Sequence, residues 1–121
     1  MTTAARNRSL GRYGEDLVAR WLVDRGLVVI DRNWRCSEGE IDLVLREGST
    51  LVVCEVKTRT DERFGHPLEV VRPEKADRLR RLAVRWLEAH DVRPAEMRVD
   101  LVGVLLQARG AAIVEHVRGI G

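Results

Sequence analysis

Lysine is nearly missing from this chain. Of its 21 basic residues only Lys57 and Lys75 are lysine, so arginine serves as the ordinary surface cation. A lysine in such a background marks a place where a compact ammonium able to lose its proton has a use. Lys75 alone reads as chance survival; Lys57 does not, because of its neighbours. Cysteine is scarce as well. Cys36 and Cys54 make neither a disulfide framework nor a spaced metal motif, and Cys54, inside an apolar run, reads as a small core residue. Aromatics are 4% of the chain. Trp21, Trp34 and Trp86 read as core packing rather than base-stacking platforms. No apolar run approaches the ~20 residues of a membrane span. The opening "MTTAARNRSLGRYGED" has no apolar signal region, so a cytoplasmic protein with no membrane partner is expected. There is no internal repeat. A net charge of +2 is too small to identify an anionic partner by itself. What remains, 121 residues with 45% apolar and 33% charged, is the composition of one globular domain.

Periodicity orders that domain. Residues 1–8 read as a loose, slightly basic tail, and 9–121 as the domain. From Ser9, a suitable N-cap, Leu10, Tyr13, Leu17, Val18, Trp21 and Leu22 recur at helical spacing, and Gly26 stops the run. "LVVIDRNW" reads as a strand and "RCSEGE" as a polar connection. "EIDLVLREGSTLVVCEVK", residues 40–57, reads as two strands around Gly48–Ser49. "TRTDERFGHPLEVVR" is a charged loop, and Pro73 opens a second helix reaching about His90. Met97–Leu106 is a further strand, and "AAIVEHVRG" a short last one. Helix, three strands, helix, one or two strands is an α/β (α+β) arrangement with a mixed sheet. The second helix crosses over to lay the Met97–Leu106 strand beside an earlier one. The charged run at 77–81, "DRLRR", reads as a solvated helix face.

The strand pair around Gly48–Ser49 poses the functional question. Closing it there sets Glu47 against Thr50, Leu45 against Val52, Val44 against Val53 and Asp42 against Glu55, with Glu40 opposite Lys57. Lys57 shares the face of Glu55, because strand side chains alternate. Like charges directly opposed destabilise a sheet, and one carboxyl of such a pair tends to keep its proton. A divalent cation removes the conflict. Mg²⁺ typically takes one or two protein carboxylates, several waters and substrate phosphate oxygens. An adjacent amine can then orient or deprotonate a water, or stabilise phosphate charge. The competing reading is a plain ion-pair ladder, with Lys57 bridging Glu40 and Glu55. Spacing alone leaves the two about even. Glu15 adds a third carboxylate: three residues before Val18 and seven before Leu22, it faces the core side of the first helix, beside Gly11 and Gly14, whose size permits close approach. Lys75 lies four residues before Leu79 and can lean over the sheet in the same way. His66, a lone loop histidine, and Cys36 and His90, without partners at ligand spacing, carry little weight.

With those residues in view, "GRYGED", "GEIDLV" and "CEVKTR", continued by "FGHPLEVVRPEKADRLRRLAVRWL" and "RVDLVGV", resemble the YraN-like family of bacterial proteins. That family is similar to the PD-(D/E)xK nuclease superfamily and, in fold, to archaeal Holliday junction resolvases. The resemblance covers nearly the whole chain beyond the tail, although Ile41 stands where the motif name has proline. It implies a restriction-endonuclease-like αβββαβ core and a metal-dependent endonuclease that hydrolyses DNA phosphodiesters, branched DNA included. The alternative is a non-catalytic nucleic-acid-binding or protein-recruiting module on the same fold. Asp42 matches the motif aspartate, Glu55 and Lys57 the ExK pair, and Glu15 the acidic residue of the first helix. Mg²⁺ or Mn²⁺ would be held by Asp42, Glu55 and the Val56 carbonyl, with Glu15 as a further ligand. Arg12, Arg59, Arg63 and Lys75 would meet nucleic-acid phosphates, and a homodimer would suit a two-fold substrate.

Overall fold

A computed structural model describes residues 2–60 and 73–120. Two helices cover opposite faces of one five-stranded sheet. The chain runs α1 (Thr3–Asp24), β1 (Val28–Cys36), β2 (Gly39–Glu47), β3 (Thr50–Arg59), α2 (Pro73–His90), β4 (Glu96–Leu105) and β5 (Ile113–Val117). The strands lie in the order β1-β2-β3-β4-β5. All neighbours are antiparallel except β3 and β4, which α2 joins as a parallel pair. This mixed sheet with its flanking helices has the arrangement of a restriction-endonuclease-like core.

Local chemistry explains most boundaries. α1 begins at Thr3, not at Ser9, so residues expected to be a loose tail are helical. Thr2 supplies the cap: its hydroxyl accepts the Ala5 N–H at 3.0 Å. Ala4, Ala5, Arg6 and Arg8 are good helix formers that carry the helix on to Ser9. Gly26, with φ 96°, provides the left-handed exit. The polar connection expected at residues 35–40 is mostly strand, because β1 and β2 stay paired to Cys36 and Gly39. Gly48, φ 61°, turns β2 into β3 at the expected place.

β3 runs through the middle of the sheet and is buried on both faces, which is why "LVVC" shows no alternation. Its odd-numbered residues Leu51 and Val53 pack beneath α2 with Val44, Leu79, Leu82, Trp86 and Leu101. Its even-numbered residues Val52 and Cys54 pack beneath α1 with Val18, Leu22, Leu43, Leu45 and Val102. Trp86 is core, as expected, and its ring N–H donates to Asp31 Oδ2 at 2.8 Å. The one fully buried charge among the described residues is Asp100 on β4. Burial alone would raise its carboxyl pKa. Hydrogen bonds with His116, Arg98 and the Gly119 N–H outweigh that and hold it below the usual range. Arg98 and Arg118 both reach Glu47 as well, so this network ties β4 and the C-terminal segment to the end of β2. It is a structural network.

Candidate metal centre at a strand fork

β2 and β3 do not stay together. Their ladder runs from Glu47–Thr50 through Leu45–Val52 and Val44–Val53 to Leu43–Cys54 and ends there. Beyond it β2 follows β1 as far as Gly39, while β3 follows β4 as far as Arg59. The expected register holds to that point. The expected pairs Asp42–Glu55 and Glu40–Lys57 do not form. Glu40 is paired instead with Arg35 on β1, with 3.3 Å between their side chains, so the ion-pair ladder through Lys57 and Glu40 is absent.

The divergence has a local cause. Leu43 packs under α1, but Ile41, two residues earlier, packs under α2. A regular strand would put both on one face. β1 changes face at the same level without losing register: Arg32 reaches Asp16 of α1, whereas Trp34 packs with the α2 side. Between them Asn33 has φ 52°, and Asn33 and Asp42 do not form a ladder pair. The hairpin therefore changes face at Asn33 and Asp42, and this opens the fork.

Asp42 fills the opening. Its Oδ2 accepts the Val56 N–H at 2.8 Å, in place of a ladder carbonyl. The N–H and C=O of a strand residue point to the same neighbour, so the Val56 carbonyl faces the fork too. Burial raises the Asp42 pKa from 3.8 to about 6; the Val56 hydrogen bond opposes this, and the charges of Glu55 and Glu40 add to it. Glu15 comes from α1. Its pKa rises to about 7, through burial first and the charge of Asp42 second. It lines a cleft of about 400 Å³ with Asn33, Glu40, Arg8, Arg12 and Arg35. Gly14 is what lets α1 come so close: a Cβ there would collide with the Thr58 hydroxyl. At Gly11, expected to act likewise, an added Cβ would meet nothing within 4 Å among the described residues, and this glycine instead borders the cleft.

Glu55 and Lys57 occupy the α2 side of β3. Lys75, in the first turn of α2, leans over the sheet and puts its ammonium 2.6 Å from Glu55 Oε2, with Arg78 3.8 Å from Oε1. Among the described residues Oε2 is nonetheless buried without a hydrogen-bond partner. The ion pair is the better description, since Coulomb attraction follows distance. Burial lowers the Lys57 pKa, the nearby Lys75 charge adds to this, and Glu55 opposes it.

Asp42 thus interacts with all three of Glu15, Glu55 and Lys57. Among the described residues, however, no three metal-binding side chains converge as a ready-made cage. Arg12 lines the cleft beside Glu15, and Arg59 lines a second one, about 410 Å³, with Val56 and Thr58. Lys75 is engaged with Glu55 and also lines an open cleft with Glu74, Arg78 and Arg81. Arg63 and His66 lie outside the described residues. The sequence reading missed Asn33 and the Lys75–Glu55 pair. An asparagine within a strand-like run was the available signal for the first, since asparagine tolerates positive φ.

The fold and the site together define an α/β/α core with a carboxylate cluster at the fork of its central strands. Residues 14–104 match the uncharacterised protein family UPF0102, and the chain belongs to that family. It is 56% identical over 118 residues to a UPF0102 protein of Nocardioides sp., covering 98% of this chain and 95% of the relative. It is 58% identical over 113 residues to one from Streptomyces griseus, covering 93% and 95%. Among the described residues no helix is long and apolar enough to cross a membrane.

Proposed function

We propose that this protein is a Mg²⁺- or Mn²⁺-dependent endonuclease that hydrolyses DNA phosphodiester bonds. One observation carries the reading: Asp42 and Glu15 are held at the fork with their pKa values raised, beside Glu55 and Lys57. Carboxylates kept together at such a cost in charge fit a site completed by a cation. The donor set suits a hard cation. Asp42, Glu55 and the Val56 carbonyl would hold it, with Glu15 nearby, and the lack of a three-carboxylate cage among the described residues suits an ion that keeps waters and takes substrate oxygens. Such an ion supplies stabilisation of phosphate charge and a more acidic water. Lys57, its proton loosened by burial, would take a proton from the attacking water or donate a hydrogen bond to the phosphate. Arg8 and Arg12 at the rim of one cleft, and Arg59 at the other, would grip the backbone, so binding should weaken steeply with salt. The test is incubation of the pure protein with single-stranded, duplex, flapped and four-way DNA, with and without Mn²⁺. Mn²⁺-dependent cleavage of any of them, lost in Asp42→Ala, supports the reading.

A second reading also has an observation behind it. Lys75 already satisfies the charge of Glu55, which suits a nucleic-acid-binding module on this fold that needs no metal. Salt-sensitive DNA binding without carboxylate-dependent Mn²⁺ binding would select it.

A further inference from the structure

Asn33 combines two properties that few residues share. Its φ of 52° lies in the left-handed region, in the middle of β1. Asparagine accepts that conformation more readily than other side chains, glycine excepted. Its carboxamide also lies between two acceptors. With the amide nitrogen turned toward them, Nδ2 is 2.9 Å from Glu15 Oε1 and 3.3 Å from Glu40 Oε1. A primary amide has two N–H donors, so one group serves both carboxylates. Glycine would keep the backbone and lose the donors. Glutamine or arginine would keep donors and strain at that φ. Backbone strain of this kind persists where the surroundings enforce it, and it gathers at functional sites. Here it lies next to Asp42, at the level where the hairpin changes face.

We propose that Asn33 is a positioning residue that locks Glu15 of α1 against Asp42 at the fork. The inference rests on the reading of the fork as a metal centre. The amide holds the helix carboxylate to the hairpin without adding charge, so Glu15 is already in place when the cation arrives. Outer-shell groups of this type typically change metal affinity by about 10–100-fold.

Asn33→Gly isolates the side chain, because glycine adopts the same φ without strain. Three measurements on the full chain test the inference. The Asn33 side-chain NH₂ signals, assigned in the metal-free ¹⁵N spectrum by their loss in Asn33→Gly, should move in Glu15→Gln. Calorimetric Mn²⁺ affinity should fall at least about tenfold in Asn33→Gly. Melting temperature and DNA affinity in EDTA should stay near wild type, which a merely structural role would not allow. The inference is overturned if Glu15→Gln leaves the amide signals in place. It is also overturned if Asn33→Gly keeps wild-type Mn²⁺ affinity while Asp42→Ala loses it. Wild-type protein with no carboxylate-dependent Mn²⁺ binding would sink the metal-centre reading itself, and this inference with it.

Discussion

Asp42 accepts the Val56 N–H at 2.8 Å where a neighbouring strand's carbonyl would otherwise stand. One side chain thus repairs the ladder at the point where the ladder opens, and it does so with a group that burial disfavours as an anion. The bond and the burial pull its pKa in opposite directions, and burial wins.

The sign of the consequence follows from linkage. Unfolded Asp42 ionises near 3.8, and folded Asp42 near 6. Between those values the folded state binds more protons, so this group's contribution to stability is complete below pH 3.8 and falls until about pH 6. The loss above that range is about 3 kcal/mol, at 1.36 kcal/mol per pH unit. Glu15 acts in the same direction up to about pH 7. Glu47 and Asp100, whose pKa values are lowered, act oppositely, as their stabilisation is lost on acidification. Melting curves of wild type and Asp42→Asn in metal-free buffer from pH 4 to 7 separate the contributions. The variant should gain on wild type as pH rises, since its amide keeps an acceptor for Val56 and carries no charge. A constant difference across the range would refute the assigned burial.

Lys57→Met and Asp42→Ala should fail in different ways. Asp42 holds the cation in the proposed site, so its loss should abolish Mn²⁺ binding and cleavage together. Lys57 would act on water or phosphate in that proposal, so its replacement should leave Mn²⁺ affinity nearly intact and cut turnover by about 10²-fold or more. The metal-free protein should not be destabilised. Folding lowers the Lys57 pKa, so the charged form at neutral pH is already disfavoured in the native state. A Lys57→Met protein that melts clearly earlier would restore a structural role for the amine.

In the proposed site Lys75 and the cation would compete for one carboxylate. The ammonium lies 2.6 Å from Glu55 Oε2, so a metal ligated by Glu55 must displace it. Lys75→Met should therefore tighten Mn²⁺ binding several-fold, while the metal-free protein loses about 1–3 kcal/mol because Glu55, left with Lys57 and the more distant Arg78, gives up its nearest cation. Calorimetry and urea unfolding read the two effects separately. If Mn²⁺ binding weakens, Lys75 is a partner of the metal site and not its rival.

Much of this arrangement was legible in the sequence, and the limits were physical. Gly48–Ser49 and the doubly buried "LVVC" placed the hairpin and its register as far as Leu43–Cys54 correctly, because turn chemistry and burial act locally. The same logic failed one pair later. It assumed continued alternation, whereas Asn33 and Asp42 change the face of the hairpin through tertiary packing of Trp34 and Ile41 under α2. The inward face of Glu15 followed from helical period. That Lys75 would reach Glu55 did not, because two residues twenty apart meet only through the crossover of α2. The start of α1 was misplaced because Ser9 resembles a cap, while Thr2 makes one.

The contact between Gly14 and Thr58 controls how near Glu15 comes to the fork. A Cβ at Gly14 would meet the Thr58 Oγ1 and crowd its Cβ and Cγ2, at 3.0 and 3.1 Å. Gly14→Ala should gain helix propensity, up to about 1 kcal/mol. It should lose more through overpacking, about 1–3 kcal/mol, as α1 is pushed off the sheet. Glu15 follows the displaced backbone, so Mn²⁺ affinity should drop along with melting temperature. Thr58 offers a check on cause. Among the described residues its Oγ1 is buried without a hydrogen-bond partner, so Thr58→Ala removes the obstructing atom and an unsatisfied polar group at once. Gly14→Ala combined with Thr58→Ala should recover most of the stability and the metal affinity that Gly14→Ala alone loses, a coupling that a double-mutant cycle measures directly. Simple additivity of the two changes would mean that the helix does not rest on Thr58, and the path by which Glu15 reaches Asp42 would have to be sought elsewhere in α1.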